Sequence, residues 1–154
     1  MTVTRERKQT VNLSEYRDFI NQIEIVDLRL VSAQIKNTGF VECPPEAEIG
    51  ININAKYENG EEKFTVFHRY NVRVKDAKTQ RQAAKLSVEF AVTYSSKLVL
   101  TDEIFDIFKE LNLPVNTWPY FREFVHNTFG RMNWRPLIAP TFKVGTKPPK
   151  RKRS

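Results

Sequence analysis

Residues 49–74 read Ile49-Gly50-Ile51-Asn52-Ile53-Asn54-Ala55-Lys56-Tyr57-Glu58-Asn59-Gly60-Glu61-Glu62-Lys63-Phe64-Thr65-Val66-Phe67-His68-Arg69-Tyr70-Asn71-Val72-Arg73-Val74, and this stretch decides the fold. Ile49, Ile51, Ile53, Ala55 and Tyr57 recur at every second position, with Asn52 and Asn54 between them. A period of two puts one face of a strand into a core and the other into water. After Asn59-Gly60 the pattern resumes at Phe64, Val66, Tyr70, Val72 and Val74. Asn-Gly readily supplies the two positive φ angles of a tight turn, so an antiparallel hairpin is predicted to turn there.

Upstream of the hairpin, residues 37–48 hold Gly39 and the pair Pro44-Pro45, which predicts a loop. Before that loop a strand is expected from about Ile25 to Ile35, with Val26, Leu28 and Leu30 alternating with Asp27 and Arg29. Leu13, Tyr16, Phe19, Ile20 and Ile23 fall at helical spacing behind Asn12 and Glu15, a capping-box signature. So short a helix needs a partner surface to persist.

Downstream, the polar residues 75–82 form a connection to a fourth strand. There Leu86, Val88, Phe90, Val92 and Tyr94 alternate with Ser87, Glu89, Ala91 and Thr93. One apolar and one polar face implies an antiparallel sheet covered on a single side. Thr101-Asp102-Glu103 has the capping hydroxyl and acids of a helix start, followed by Ile104, Phe105, Ile107, Phe108 and Leu111. Leu113-Pro114-Val115-Asn116 is expected to break this helix. A longer one should begin near Thr117 with Pro119 in its first turn, carrying Trp118, Phe121, Phe124, Val125, Phe129 and Met132, and end at Arg135-Pro136. The sum is an α+β domain: a four-stranded antiparallel sheet covered on one face by C-terminal helices, with an additional short N-terminal helix. Residues 1–11 are expected to be a flexible N-terminus, 12–145 the domain, and 146–154 a disordered basic tail.

The chain has a net charge of +7 over 154 residues. Lys143, Lys147, Lys150, Arg151, Lys152 and Arg153 stand without an acid, and Arg5, Arg7 and Lys8 outweigh Glu6, so residues 9–142 come to −1. Basicity confined to the ends argues against a nucleic-acid-binding body. It leaves the tail cations Lys147, Lys150, Arg151, Lys152 and Arg153 as the alternative contact to nucleic acid, sequence-independent and salt-sensitive. No run approaches the roughly 18 apolar residues of a membrane span, and the N-terminus lacks the apolar run of a secretion signal. A lone Cys43 fits a reducing compartment, and the cytoplasm is expected.

Catalysis finds little support. His68 and His126 lie on different elements, and Cys43 sits beside two prolines with no base in its motif. No ligand spacing suits zinc, and no Gly-rich phosphate loop is present. No active site, cofactor or metal is expected. Eleven Phe, five Tyr and two Trp exceed what one thin sheet with two helices hides, so part of them is predicted to surface as an apolar association patch. Self-association is the competing use of such a patch.

Trp118-Pro119-Tyr120-Phe121-Arg122-Glu123 resembles the (F/L)-P-Y-A-R-E opening of the last long helix in the SecB-like family of chaperones, matching at Pro119, Tyr120, Arg122 and Glu123. Arg131 and Arg135-Pro136-Leu137-Ile138-Ala139-Pro140-Thr141-Phe142 resemble that family's proline-rich ending, with Pro136, Ala139, Pro140 and Phe142 in place. The order of elements agrees over some 120 residues, from about Ile23 onward. This resemblance implies a holdase without enzymatic activity or need of ATP, assembled as a tetramer from two dimers. It also implies an aromatic-lined groove that keeps unfolded polypeptides competent for translocation or folding, or serves one client such as an antitoxin. Carried over by position, the groove residues are Phe90, Val92, Tyr94 and Leu98 on the fourth strand and its exit, with Trp118, Tyr120, Phe121, Phe124 and Phe142 on the helix side. The outward positions of the fourth strand offer only Glu89, and Ala91 stands where the family carries an acid. That departure counts against docking on the translocation ATPase SecA.

Overall fold

A computed structural model describes residues 11–135. Helix α1 (Leu13–Gln22) leads into four strands, β1 (Glu24–Asn37), β2 (Ala47–Gly60), β3 (Lys63–Asp76) and β4 (Gln82–Ser95), and helix α2 (Asp102–Arg131) closes the order. The sheet is antiparallel throughout, in the order β1-β4-β3-β2, so β1 crosses over to lie beside β4 and both β1 and β2 are edges.

The α+β architecture and the hairpin stand as expected, but the hairpin turns two residues later. Gly60 pairs with Lys63, which leaves Glu61 and Glu62 as the turn, with Glu62 at φ +51°. Asn59 lies within β2, paired with Phe64, and its side-chain amide is used on another contact: Nδ2 donates to the Leu100 carbonyl at 2.9 Å, and Oδ1 accepts from the Leu100 N–H at 3.1 Å. These bonds tie the hairpin end to the approach of α2.

The predicted break at Leu113-Pro114-Val115-Asn116 is absent. One thirty-residue helix runs through Pro114 and Pro119. An interior proline costs about 3 kcal/mol, yet burial on both sides of the prolines outweighs it. Phe105, Phe108 and Leu113 are buried in one cluster with Phe64, Val66, Val92 and Tyr94. Phe121, Val125 and Phe129 are buried in a second with Tyr70, Val72, Leu86 and Val88. Both helix starts are capped as expected: Asn12 accepts from the Glu15 N–H at 2.8 Å, and Thr101 from the Ile104 N–H at 3.4 Å. Helix α1 finds its partner surface through Phe19, whose ring lies 5.8 Å from that of Phe64, and through a Tyr16–Asn112 side-chain hydrogen bond.

Strand β1 departs from simple alternation. Its register against β4 shifts at Val26 and again at Val31, two bulges that each place one extra residue in the edge strand. The residues facing the helix layer are therefore Ile25, Leu28, Leu30, Ala33 and Ile35, opposite Tyr94, Val92, Phe90, Val88 and Leu86. Val26 does not belong to this set.

Candidate functional site

Residues directly opposite on antiparallel strands share a face, so the register orders the helix-side surface into rows. The inner columns, β3 and β4, are roofed by α1 and α2. The outer columns are not. On β1, Ile25, Leu30 and Ile35 are 49%, 55% and 49% exposed. On β2, Ile51 and Ile53 are likewise open. A single helix laid over a four-stranded sheet covers its middle and leaves apolar margins on either side.

The β1 margin is the longer. From Ile25 to Ile35 it extends roughly 30 Å at about 3.3 Å per residue. Tyr120, 51% exposed, projects from α2 with its ring 6.2 Å from Phe90, whose partner across the sheet is Leu30. Phe124, one turn on, is half-buried against the core. On the other flank Trp118 lies 6.0 Å from Tyr70 and 5.1 Å from Phe121, with Ile53 opposite Tyr70.

The residues carried over by position divide accordingly. Phe90, Val92, Tyr94 and Phe121 are buried within the chain. Phe121 stacks on Tyr70 at 4.2 Å, and Tyr94 lies 5.0 Å from Phe64 and 5.2 Å from Phe108. Tyr120 is exposed beside Phe90, and Trp118 and Phe124 are half-buried on opposite flanks of α2. Leu98 is exposed in the turn after β4, where Ser96 bonds the Leu98 backbone, away from the Phe90–Tyr120 pair. Phe142 and the tail cations Lys147, Lys150, Arg151, Lys152 and Arg153 lie outside the described residues. Sequence reasoning passed over Ile25, Leu30 and Ile35 as surface candidates, since only the crossover that makes β1 an edge exposes them.

His68 was missed for another reason. It occupies the core-facing phase of β3, between Val66 and Tyr70, and is 1% exposed. Its Nδ1 is 2.8 Å from Thr117 Oγ1, as is the Tyr70 hydroxyl. Thr117 in turn donates to the Leu113 carbonyl at 3.3 Å. Satisfying all three contacts makes Tyr70 and the His68 Nδ1–H the donors to Thr117, and His68 Nε2 is left buried as a bare acceptor without a partner among the described residues. Burial pushes the His68 pKa down to about 4. Burial likewise raises Tyr70 to about 12. A neutral imidazole sealed under α2 is a packing group with no route to substrate.

Among the described residues no group of three His, Cys, Asp or Glu side chains could hold a metal, and no helix is long and apolar enough to cross a membrane. Cys43 is half-buried, and burial raises its thiol pKa, away from the reactive thiolate.

No protein-family model matches the sequence, and a search of curated proteins finds no significant match. Among solved structures the chain is similar to the Mycobacterium tuberculosis Rv1957 SecB-like chaperone, solved in complex with a ChAD peptide from the Rv1956 HigA1 antitoxin. Identity is 21%, the TM-score is 0.71, and the match covers 80% of this chain and 93% of that one. With its four-stranded antiparallel sheet, its short N-terminal helix and its long C-terminal helix aligned over that length, the chain has the SecB-like fold.

Proposed function

We propose that the chain is a non-catalytic holdase that takes up non-native polypeptide along the β1 margin without nucleotide. The observation that carries this reading is the uncovered apolar row Ile25, Leu30 and Ile35 beside Tyr120. Aliphatic side chains arranged on a pleated surface accept many sequences, because burial of apolar area is non-directional. The free edge of β1 adds backbone groups that could pair with an extended client, although the bulges at Val26 and Val31 limit regular pairing to the stretch after Ser32. The fold neighbour was solved with an antitoxin peptide, which supports a polypeptide client and makes a dedicated antitoxin one form of the proposal.

The test is suppression of aggregation of a heat-unfolding enzyme, followed by light scattering in the absence of nucleotide. The wild-type chain suppresses scattering, and Leu30→Asp with Ile35→Asp restores it. No suppression at several-fold molar excess would end the proposal. A second copy of this chain is the competing occupant of the margin. Size-exclusion light scattering with and without client separates the two, since a client that binds without changing the subunit count leaves the margin to the client.

A further inference from the structure

The face of the sheet turned away from the helices carries an unbalanced row of charge. The register sets Lys36 of β1 opposite Lys85 of β4, and Lys85 opposite Arg73 of β3. The next residue across, on β2, is Gly50. Three cations stand side by side at the roughly 5 Å spacing of neighbouring strands, where like charges directly opposite destabilise a sheet. All three are exposed. Among the described residues none of them, nor Lys75 at the same end, forms an ion pair. The fold keeps a repulsion that a single acid at position 85 would turn into attraction.

The row also has a built floor. A concavity on this face is lined by Gly50, Ile51, Asn52, Asn71, Arg73 and Lys85. Gly50 contributes no side chain, and a methyl group placed there would meet nothing within 4 Å, so the hollow opens fully beside Arg73. Asn71 Oδ1 accepts from the Ser87 hydroxyl at 2.9 Å, which engages the amide oxygen and leaves the N–H groups as the donors Asn71 brings to the lining. Cations flanked by uncharged amides are the chemistry of a carboxylate site, with the Arg73 guanidinium able to take a carboxylate in two bonds.

We propose that this row is a docking site for a short acidic segment of a partner polypeptide. Two observations favour a peptide over a nucleic acid. The cationic stretch is short, bounded by Glu48 opposite Lys75 and by Glu89, which pairs with Arg69 at 3.5 Å; these carboxylates repel a continuous polyanion but not a cluster of two or three acids. Among the described residues no ring lies on the row for base stacking. Phe67, the aromatic residue on this face, is covered by Lys56 at 5.3 Å. In an extended partner, alternate carboxylates recur at about 6.6–7 Å, so two of them fit across Lys36, Lys85 and Arg73.

The experiment is fluorescence anisotropy on the full chain with a fluorescein-labelled peptide of alternating Glu and Ser, its Lys–Ser counterpart, and a labelled single-stranded oligothymidylate. The acidic peptide binds, more weakly as salt rises, and its Kd increases on the order of tenfold or more in Arg73→Glu with Lys85→Glu, as expected for loss of charge complementarity. Arg73→Gln with Lys85→Gln removes the charges while keeping polar, hydrogen-bonding side chains, and weakens the peptide without lowering the melting temperature. Lys85→Glu alone melts at or above the wild-type temperature, because it places an acid between two cations. Failure of the acidic peptide to bind the wild-type chain, unchanged binding in both double variants, or an effect confined to the oligonucleotide overturns the proposal. Because the helix-side margin is on the other face, Leu30→Asp leaves this binding unchanged, and failure here leaves the holdase reading intact.

Discussion

Acidification should destabilise this protein by way of His68, and the size of the effect follows from its burial. The imidazole titrates near 6.5 in an unfolded chain and at about 4 in the folded one, where burial disfavours the cation. Between these values the unfolded chain binds the extra proton, so the contribution of neutral His68 is complete above pH 6.5 and is lost as pH falls through the folded value. Linkage across that gap amounts to about 2 kcal/mol between pH 7.5 and 5 and about 3 kcal/mol once both forms are protonated. That is a large share of the roughly 5–15 kcal/mol that holds a domain folded. Urea denaturation at pH 7.5, 6, 5 and 4 measures it, with His68→Phe as the reference that keeps a ring under α2 and removes the titration. Subtracting the variant's pH dependence removes the carboxylates common to both chains. A wild-type curve parallel to that of His68→Phe over this range would refute the reasoning and mean that Nε2 is reached by water or by a partner.

Thr117→Val should cost about 2–4 kcal/mol, because an isosteric methyl leaves both the Tyr70 hydroxyl and the His68 Nδ1–H buried without an acceptor; Thr117→Ser should recover most of it in the same urea titration. Pro119→Ala should stabilise α2 by about 1–3 kcal/mol, since Pro119 is exposed in mid-helix, and a higher melting temperature checks this. Phe121→Ala should cost about 3–5 kcal/mol, because its buried ring stacks on Tyr70. Tyr120→Ser, on an exposed ring, should change stability by less than about 1 kcal/mol while reducing the suppression of client aggregation.

Much of the fold is written in local pattern. The alternation through Ile49–Val74 and Leu86–Tyr94 placed three strands on the correct faces, and Asn12 and Thr101 marked both helix starts, because caps and periodicity act within one element. The misplacements each involve a distant residue. Asn59-Gly60 looks like a turn, but Asn59 stays in β2 opposite Phe64 and its amide meets Leu100. Pro114 looks like a helix end until Leu113 and Thr117 on either side of it are buried against the sheet. The bulges at Val26 and Val31 were passed over, although the adjacent apolar pairs Ile25-Val26 and Leu30-Val31 interrupt the alternation at those two places. His68 was within reach, for it occupies the core phase of a strand whose alternation was otherwise read. Exposure of Ile25, Leu30 and Ile35 was not, because a strand's apolar side becomes surface only through the topology that puts it at an edge.

The most direct measurement is methyl NMR of the isotope-labelled chain titrated with a soluble, permanently unfolded polypeptide. Resonances of Ile25, Leu28, Leu30 and Ile35 should shift and broaden together, while those of Val66 and Leu86 under the helices stay in place. Shifts confined to other faces of the sheet, or none at saturating client, would contradict the account.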